Sequence, residues 1–275
     1  MSPKSEPATG KQDSDSTVVR RVSPNITTIS IPFAQLGLLK TGGRTTIVQL
    51  QSGSLAVISP VRLTDVVCDA LVATNGTVKY IIAPNLEHYM QIGSWKAEFP
   101  SACLIVPEGL PEKCAKKLGL GQEIFDIVYT ALESQKRISE EFDNEFDVQY
   151  IDSMDSHEIV MFHKPTHTVI EADLLFNVPA VEQFSKSGQS PTSGVFTKLV
   201  SPIFSTTYPA TWQKRLAWYI LGAKDRVAFA ASLQRIFSWD FERIIPCHGD
   251  VIESEAKKVF GTIFEWYLNG ENKRL

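Results

Sequence analysis

The chain has 275 residues, 43% of them hydrophobic, and a net charge of −4 from 27 Lys and Arg against 31 Asp and Glu. That length and apolar content suffice to bury a large core, and allow one large domain or two small ones. The slight acidic balance, without a basic stripe, offers no electrostatic handle for nucleic acid or an anionic membrane.

Residues 1–20 are polar, rich in Pro and Ser and without period. Such a composition cannot offset the entropy of ordering, so a disordered tail is expected over 1–20, followed by a single domain over 21–275. From Val22 the pattern turns to short β-branched runs, NITTISIPF, RTTIVQL and SLAVIS, separated by Gly42-Gly43 and Ser52-Gly53-Ser54. These predict an antiparallel meander. Pro60 and Thr64 then open a predicted helix, LTDVVCDALVATNG, with Thr64 at the N-cap and Asn75-Gly76 as its stop.

The next strand, VKYIIA, runs directly into a loop carrying Asn85, Glu87 and His88. Loops at strand ends set polar groups on a rigid base, so this one is a candidate for chemistry; the plainer reading is that Asn85 and Glu87 cap the following helix. PSACLIVPEG and LPEKCAKKLG predict a second strand and helix. Residues 121–155 form a mixed-charge surface run ending in a short strand, DVQYI.

Two strands are predicted at Glu158–Phe162 and Thr168–Ala172, joined through Lys164-Pro165-Thr166. A hairpin centred on Pro165 pairs residues whose numbers sum to 330, setting His163 against His167 and, at the open end, His157 against Asp173. An imidazole beside a carboxylate is part of a metal site, or simply a polar pair. His163 and His167 fall near the turn, about 20 Å from the mouth at ~3.3 Å per residue, which predicts hairpin surface positions unless the turn shifts.

Residues 178–212 hold Pro179, Pro191, Pro202 and Pro209 and predict an irregular excursion or lid. Two helices split by Gly222 follow, then a last strand, Phe241–Pro246, ending in Cys247-His248-Gly249-Asp250, and a closing helix stopped at Gly270. Cys247 beside His248 is a weak thiol-nucleophile candidate, since neighbours on extended backbone point to opposite faces. Gly-x-Ser-x-Gly and Gly-rich phosphate loops are absent, so serine hydrolase, NTPase and Rossmann readings lack their motifs. Cysteines at 68, 103, 114 and 247, without a CxxC pair, suggest reduced thiols, leaving the two Asn-x-Thr sequons unused. No apolar run approaches the ~20 residues of a membrane span and no signal-peptide pattern opens the chain, so a soluble cytoplasmic protein is expected.

The order of meander, helix, His-bearing loop, βα units, hairpin, helix and His-Gly resembles the metallo-β-lactamase-like αββα sandwich over about residues 25–268. PNLEHYMQIGSWKAEFPSA, VMFHKPTHTVIEADLLFN and WDFERIIPCHGDVIE are similar to a functionally unassigned subfamily of that fold. Typical members carry His-x-His-x-Asp-His in the first loop. Anchoring on Ile92-Gly93 gives His88 the second histidine position and puts Leu86, Met90 and Gln91 at the other three; anchoring on the strand end puts Asn85 and Glu87 in the histidine positions.

The resemblance further implies His157 as the histidine before the hairpin strand, Asp173 as the bridging aspartate and His248 as the last histidine. It implies no more than one Zn²⁺ or Fe²⁺ on His88, His157, Asp173 and His248, with Asp173 ligating the ion or orienting a water. The activity implied is hydrolysis of an ester, thioester, lactone or amide of a small molecule. The other reading is a metal-free binding protein, in which Met90 and Gln91 mark a lost centre.

Overall fold

The computed structural model describes residues 15–35 and 37–270. Its framework is two sheets. The larger has seven strands in the order β1 (Val18–Ser23), β2 (Ile26–Ile31), β5 (Gly43–Gln49), β6 (Ser54–Ile58), β7 (Thr77–Ile82), β8 (Cys103–Pro107) and β9 (Ile127–Tyr129). The smaller has β10 (Phe146–Ile151), β11 (Glu158–His163), β12 (Thr168–Glu171) and β13 (Arg243–Pro246), while β3 (Ala34–Gln35) and β4 (Leu39–Lys40) form a separate hairpin.

Strand alternation builds three apolar layers from these two sheets. Leu55, Val57, Ile81, Leu104 and Val106 pack outward beneath the helices Asp65–Val72, Ile92–Glu98 and Leu110–Leu118. Their neighbours Ala56, Ile58, Tyr80, Ile82 and Ile105 point the other way, onto Tyr150, Ile159, Met161, Ile170 and Ile245 of the smaller sheet. Val160, Phe162, Val169 and Ile244 then face a third layer with Phe229, Leu233, Ile236, Phe260 and Phe264 from the C-terminal helices. The result is the αββα sandwich expected from the sequence. Among the described residues no helix is long and apolar enough to cross a membrane.

Several local expectations change. The tail expected over 1–20 lies partly outside the described residues, but Val18–Arg20 belong to β1, which pairs with β2. Arg20 binds Glu182 at 2.6 Å and Glu253 at 2.5 Å, fastening this edge strand to distant parts of the chain. Thr64 stands at the N-cap without a side-chain cap bond, whereas Asp225 accepts from the amides of Val227 and Ala228 to start the helix Arg226–Ser238. The excursion at 178–212 is partly helical, with helices at Val181–Phe184 and Val195–Val200.

The hairpin register is also off by one. Lys164–Thr166 forms a 3₁₀ turn closed by His167 at φ 48°, which adds one residue to the connection. Pairs therefore sum to 331: Met161 with Ile170, Phe162 with Val169, His163 with Thr168. Because side chains alternate along a strand, this slip separates His157 from Asp173. His157 instead sits at φ 52° just before β11, and β12 ends at Glu171, before Asp173 is reached.

A buried guanidinium joins the larger sheet to the end of β13. Arg44, 1% exposed, donates from Nη1 to the carbonyls of Pro246 at 2.6 Å and Gly249 at 2.7 Å, from Nε to Ser30 Oγ at 3.1 Å, and approaches Glu182 Oε1 with Nη2 at 3.3 Å. Glu182 offsets the charge, and the hydrogen bonds satisfy the donors. Replacing Arg44 by Met leaves the two carbonyls without a donor in the interior. We expect Arg44→Met to lower the unfolding free energy by about 3 kcal/mol in urea titration, and an unchanged midpoint would show that this link is not structural.

Candidate metal centre

Three side chains meet where strands of both sheets end. β7 is parallel to β6 and β8, and β12 is parallel to β13; His88 follows the carboxyl end of β7, Asp173 that of β12 and His248 that of β13. His88 Nε2 lies 3.4 Å from Asp173 Oδ2, and His248 Nε2 lies 3.4 Å from Asp173 Oδ1. One ligand atom from each of the three falls within 4.8 Å of the others.

Each imidazole is held through its other nitrogen. His248 Nδ1 is 2.6 Å from the Gly42 carbonyl, to which it donates, and this directs Nε2 at Asp173. His88 Nδ1 is 2.8 Å from Ser59 Oγ. The His248 ring is also sandwiched, nearly parallel to Phe176 with centroids 5.4 Å apart and stacked on Phe33 at 6.1 Å. Gly249 sets the turn: its φ is +89°, and a Cβ there would lie 2.1 Å from the Asn177 carbonyl oxygen.

Asp173 is positioned by Asn85 and Glu158. Asn85, fully buried, donates from Nδ2 to Asp173 Oδ2 at 2.7 Å and Glu158 Oε2 at 2.8 Å. Its Oδ1 accepts from the amides of Glu87 and His88, shaping the loop that carries His88. Glu158 Oε1 takes the amides of Ala172 at 2.6 Å and Asp173 at 3.1 Å. Glu171 Oε2 takes those of Leu174 and Leu175.

Three carboxyl groups are thus buried together, and they divide the charge unequally. Burial, reinforced by the charge of Asp173, holds Glu158 well above the usual carboxylate range. Burial and the charge of Glu158 do the same to Glu171. Burial alone would raise Asp173 as well, but the facing His88 and His248 outweigh it and hold the carboxyl well below its ordinary value. Burial thus pushes two of the three acids towards the neutral form, beside one held as a carboxylate between two imidazoles.

These residues fit a metal ion. Asp173 Oδ1 is shielded from solvent yet makes no well-formed hydrogen bond, an expensive state for a carboxylate oxygen without an additional partner. The 3.4 Å separation of His248 Nε2 from Asp173 Oδ1 is close to the ~3.3 Å between two ligand atoms each about 2.05 Å from a tetrahedral ion. Two imidazoles and one carboxylate leave a coordination position free. The group faces a cavity of about 620 Å³ with largely apolar walls, among them Ile31, Phe33, Pro60, Val61, Tyr89 and Met90.

His157 is not part of this cluster. Its Nδ1 is 3.2 Å from both Tyr150 Oη and the Glu108 carbonyl. His163 is not a surface residue either: it is fully buried, 5.0 Å from the Phe146 ring and 3.4 Å from Glu145 Oε2. His167 stays exposed at the turn beside Asp240. Cys247 is buried, and burial pushes its thiol well above the ordinary range, which leaves it un-ionised and a poor nucleophile. Ser59, Gly42, Glu158 and Phe176 carry no signal in the sequence as supports, because each reaches the site through contacts between distant segments.

A family model described as a domain of unknown function, DUF4336, matches residues 34–196, more than half of the chain. The chain belongs to the DUF4336 family. The matched span contains His88 and Asp173 and ends before His248. No curated protein matches this DUF4336 chain by sequence.

Solved structures do resemble it. DIM-1 metallo-β-lactamase exposed to ceftazidime aligns with a TM-score of 0.58 at 9% identity, covering 92% of this chain and 97% of that one. The mono-zinc form of FIM-1 metallo-β-lactamase from Pseudomonas aeruginosa aligns with a TM-score of 0.53 at 8% identity, covering 95% and 100%. The metal-soaked Flv1 flavodiiron core from Synechocystis sp. PCC6803 gives 0.58 at 10% identity, covering 94% of this chain and 62% of that one. At such identities the likeness is one of fold: this DUF4336 protein has the metallo-β-lactamase fold.

The buried His163 adds an acid-sensitive element away from the centre. Burial pushes its imidazole down from 6.5 to about 4, so unfolding in acid takes up a proton that the folded state refuses. Its cost to stability is absent above about pH 6.5 and grows as pH falls towards 4. Between those values the unfolding free energy should gain up to about 1.4 kcal/mol of slope per pH unit. His163→Gln should lose that increment; identical pH profiles for the two proteins would contradict the assignment.

Proposed function

We propose that this chain is a mononuclear metal-dependent hydrolase of a small molecule, with His88, Asp173 and His248 holding one Zn²⁺ or Fe²⁺. The observation that carries the reading is the solvent-shielded Asp173 Oδ1, without a well-formed hydrogen bond, facing the Nε2 atom of His248 at the base of the 620 Å³ cavity. When bound, the ion would supply Lewis acidity and hydroxide at neutral pH.

The chain's own residues do the rest. The Gly42 carbonyl fixes the tautomer of His248, and Ser59 orients His88. Asn85 and Glu158 hold Asp173 in place while Oδ1 remains available. The apolar cavity walls would exclude water from the non-reacting part of an ester, thioester, lactone or amide and keep its carbonyl near the centre.

Metal analysis of protein purified without chelator tests this reading. The expected content is no more than one equivalent per chain, lost in His88→Ala, Asp173→Ala and His248→Ala and retained in His157→Ala and His167→Ala. Asn85→Ala should weaken metal affinity 10- to 100-fold, the usual effect of removing a group that orients a ligand. A screen of chromogenic esters, thioesters and lactones should then show turnover that falls with metal content. Two tightly held ions would refute the single-centre reading, and none under any loading condition would point to a metal-free binding protein.

A further inference from the structure

From Gln183 to Lys224 the chain contains Lys186, Lys198, Lys214, Arg215 and Lys224 but no Asp or Glu, although the whole protein carries a charge of −4. Lys214 is buried against Glu265 at 2.6 Å; the other four cations are exposed. Acidic residues stand at the margins: Glu182 is engaged by Arg20 and Arg44, and Asp225 caps the next helix. Charge is therefore segregated in a way that the net value conceals.

The same segment exposes large apolar side chains. Val195 and Leu199 are 85% and 77% exposed on one face of the helix Val195–Val200, with Phe196 beside them. Trp212 and Tyr219, 52% and 54% exposed, stand on the helix Thr211–Leu216 and the π-helical turn Ala217–Leu221 that continues it. Arg215 lies between them with its guanidinium 4.8 Å over the Trp212 ring. Tyr208 and Ile220 of the same segment are exposed as well, and the turn Ser201–Phe204 packs against both helices. The opposite face is committed to the interior through Gln213, Ala217 and Trp218, which packs on Tyr267. The exposed aromatics therefore cannot be buried by rolling the helix.

We propose that this face docks on an anionic lipid bilayer. Aromatic rings with apolar bodies and polar edges, aliphatic side chains and interspersed cations, on a stretch of chain that itself contains no acid, match the headgroup boundary of such a bilayer, where each cation adds attraction and each apolar side chain adds burial. The position bears on access to the cavity. Thr197 Oγ1 donates to the Leu38 carbonyl and accepts from the Lys40 amide, tying this face to the β3–β4 hairpin, and Phe33 and Gln35 of that region line the cavity. Docking through this surface does not depend on the hydrolase reading.

Co-sedimentation of the full chain with sucrose-loaded vesicles tests the proposal, comparing phosphatidylcholine alone with phosphatidylcholine containing phosphatidylglycerol. Binding is expected only to the anionic vesicles and should weaken with salt. Lys198→Glu with Arg215→Glu should reduce it at least about tenfold, as should Trp212→Ser with Tyr219→Ser, with circular dichroism unchanged in both. Asp173→Ala should bind vesicles as the parent does even where it has lost metal, which separates this proposal from that of the centre. No association with anionic vesicles, or association that charge reversal leaves intact, would overturn it. So would a concentration-dependent dimer in light scattering that disappears in the Trp212→Ser, Tyr219→Ser protein, since the face would then belong to a second copy.

Discussion

A carboxylate placed out of solvent at the seam between two sheets has to be compensated, and the surroundings of Asp173 are organised by that requirement. One oxygen is taken by Asn85, and the other faces His248 without a well-formed hydrogen bond. Burial pushes the neighbouring Glu158 and Glu171 towards the neutral form, which limits the negative charge gathered at the centre. Asn85 couples this balance to the backbone, because the same side chain that holds Asp173 also shapes the loop presenting His88.

The layered fold supplies the geometry. Parallel pairing of β12 with β13 brings the segments that follow them, with Asp173 and His248, out at the same edge of the smaller sheet. β7 delivers His88 from the larger sheet, and the Ile159 amide donates to the Pro84 carbonyl at 2.7 Å, stitching the two edges together just before that loop. Arg44 completes the joint from the far side by binding the carbonyls of Pro246 and Gly249 on either side of His248. Side chains from segments more than 80 residues apart are thus held by buried polar contacts, which makes the arrangement stiff.

Charge distribution carries a similar lesson at the surface. The net charge of −4 argued against any anionic partner, yet it averages an acid-free stretch from Gln183 to Lys224 with acidic segments elsewhere. The excursion read as irregular because of its prolines contains helices whose exposed faces are apolar and cationic. Pro202 sits in a 3₁₀ turn and Pro209 just before the helix starting at Thr211, positions that interrupt helices without preventing them.

The sequence by itself marked the strands, through alternating β-branched runs such as SLAVIS and VKYIIA, and the resemblance of their order to the metallo-β-lactamase-like fold implied the sandwich. It also marked His88, His157, Asp173 and His248, since each lies near the end of a strand-like run. What it could not determine was which histidines meet. A turn longer by one residue moved the hairpin register from 330 to 331 and parted His157 from Asp173, while His163 went into the core. Local patterning records which face a residue occupies; only the closing of two sheets upon each other, through Asn85, Glu158, Ser59 and Arg44, decided which side chains share a centre. Those contacts join segments whose spacing in the chain carries no information about their distance in space.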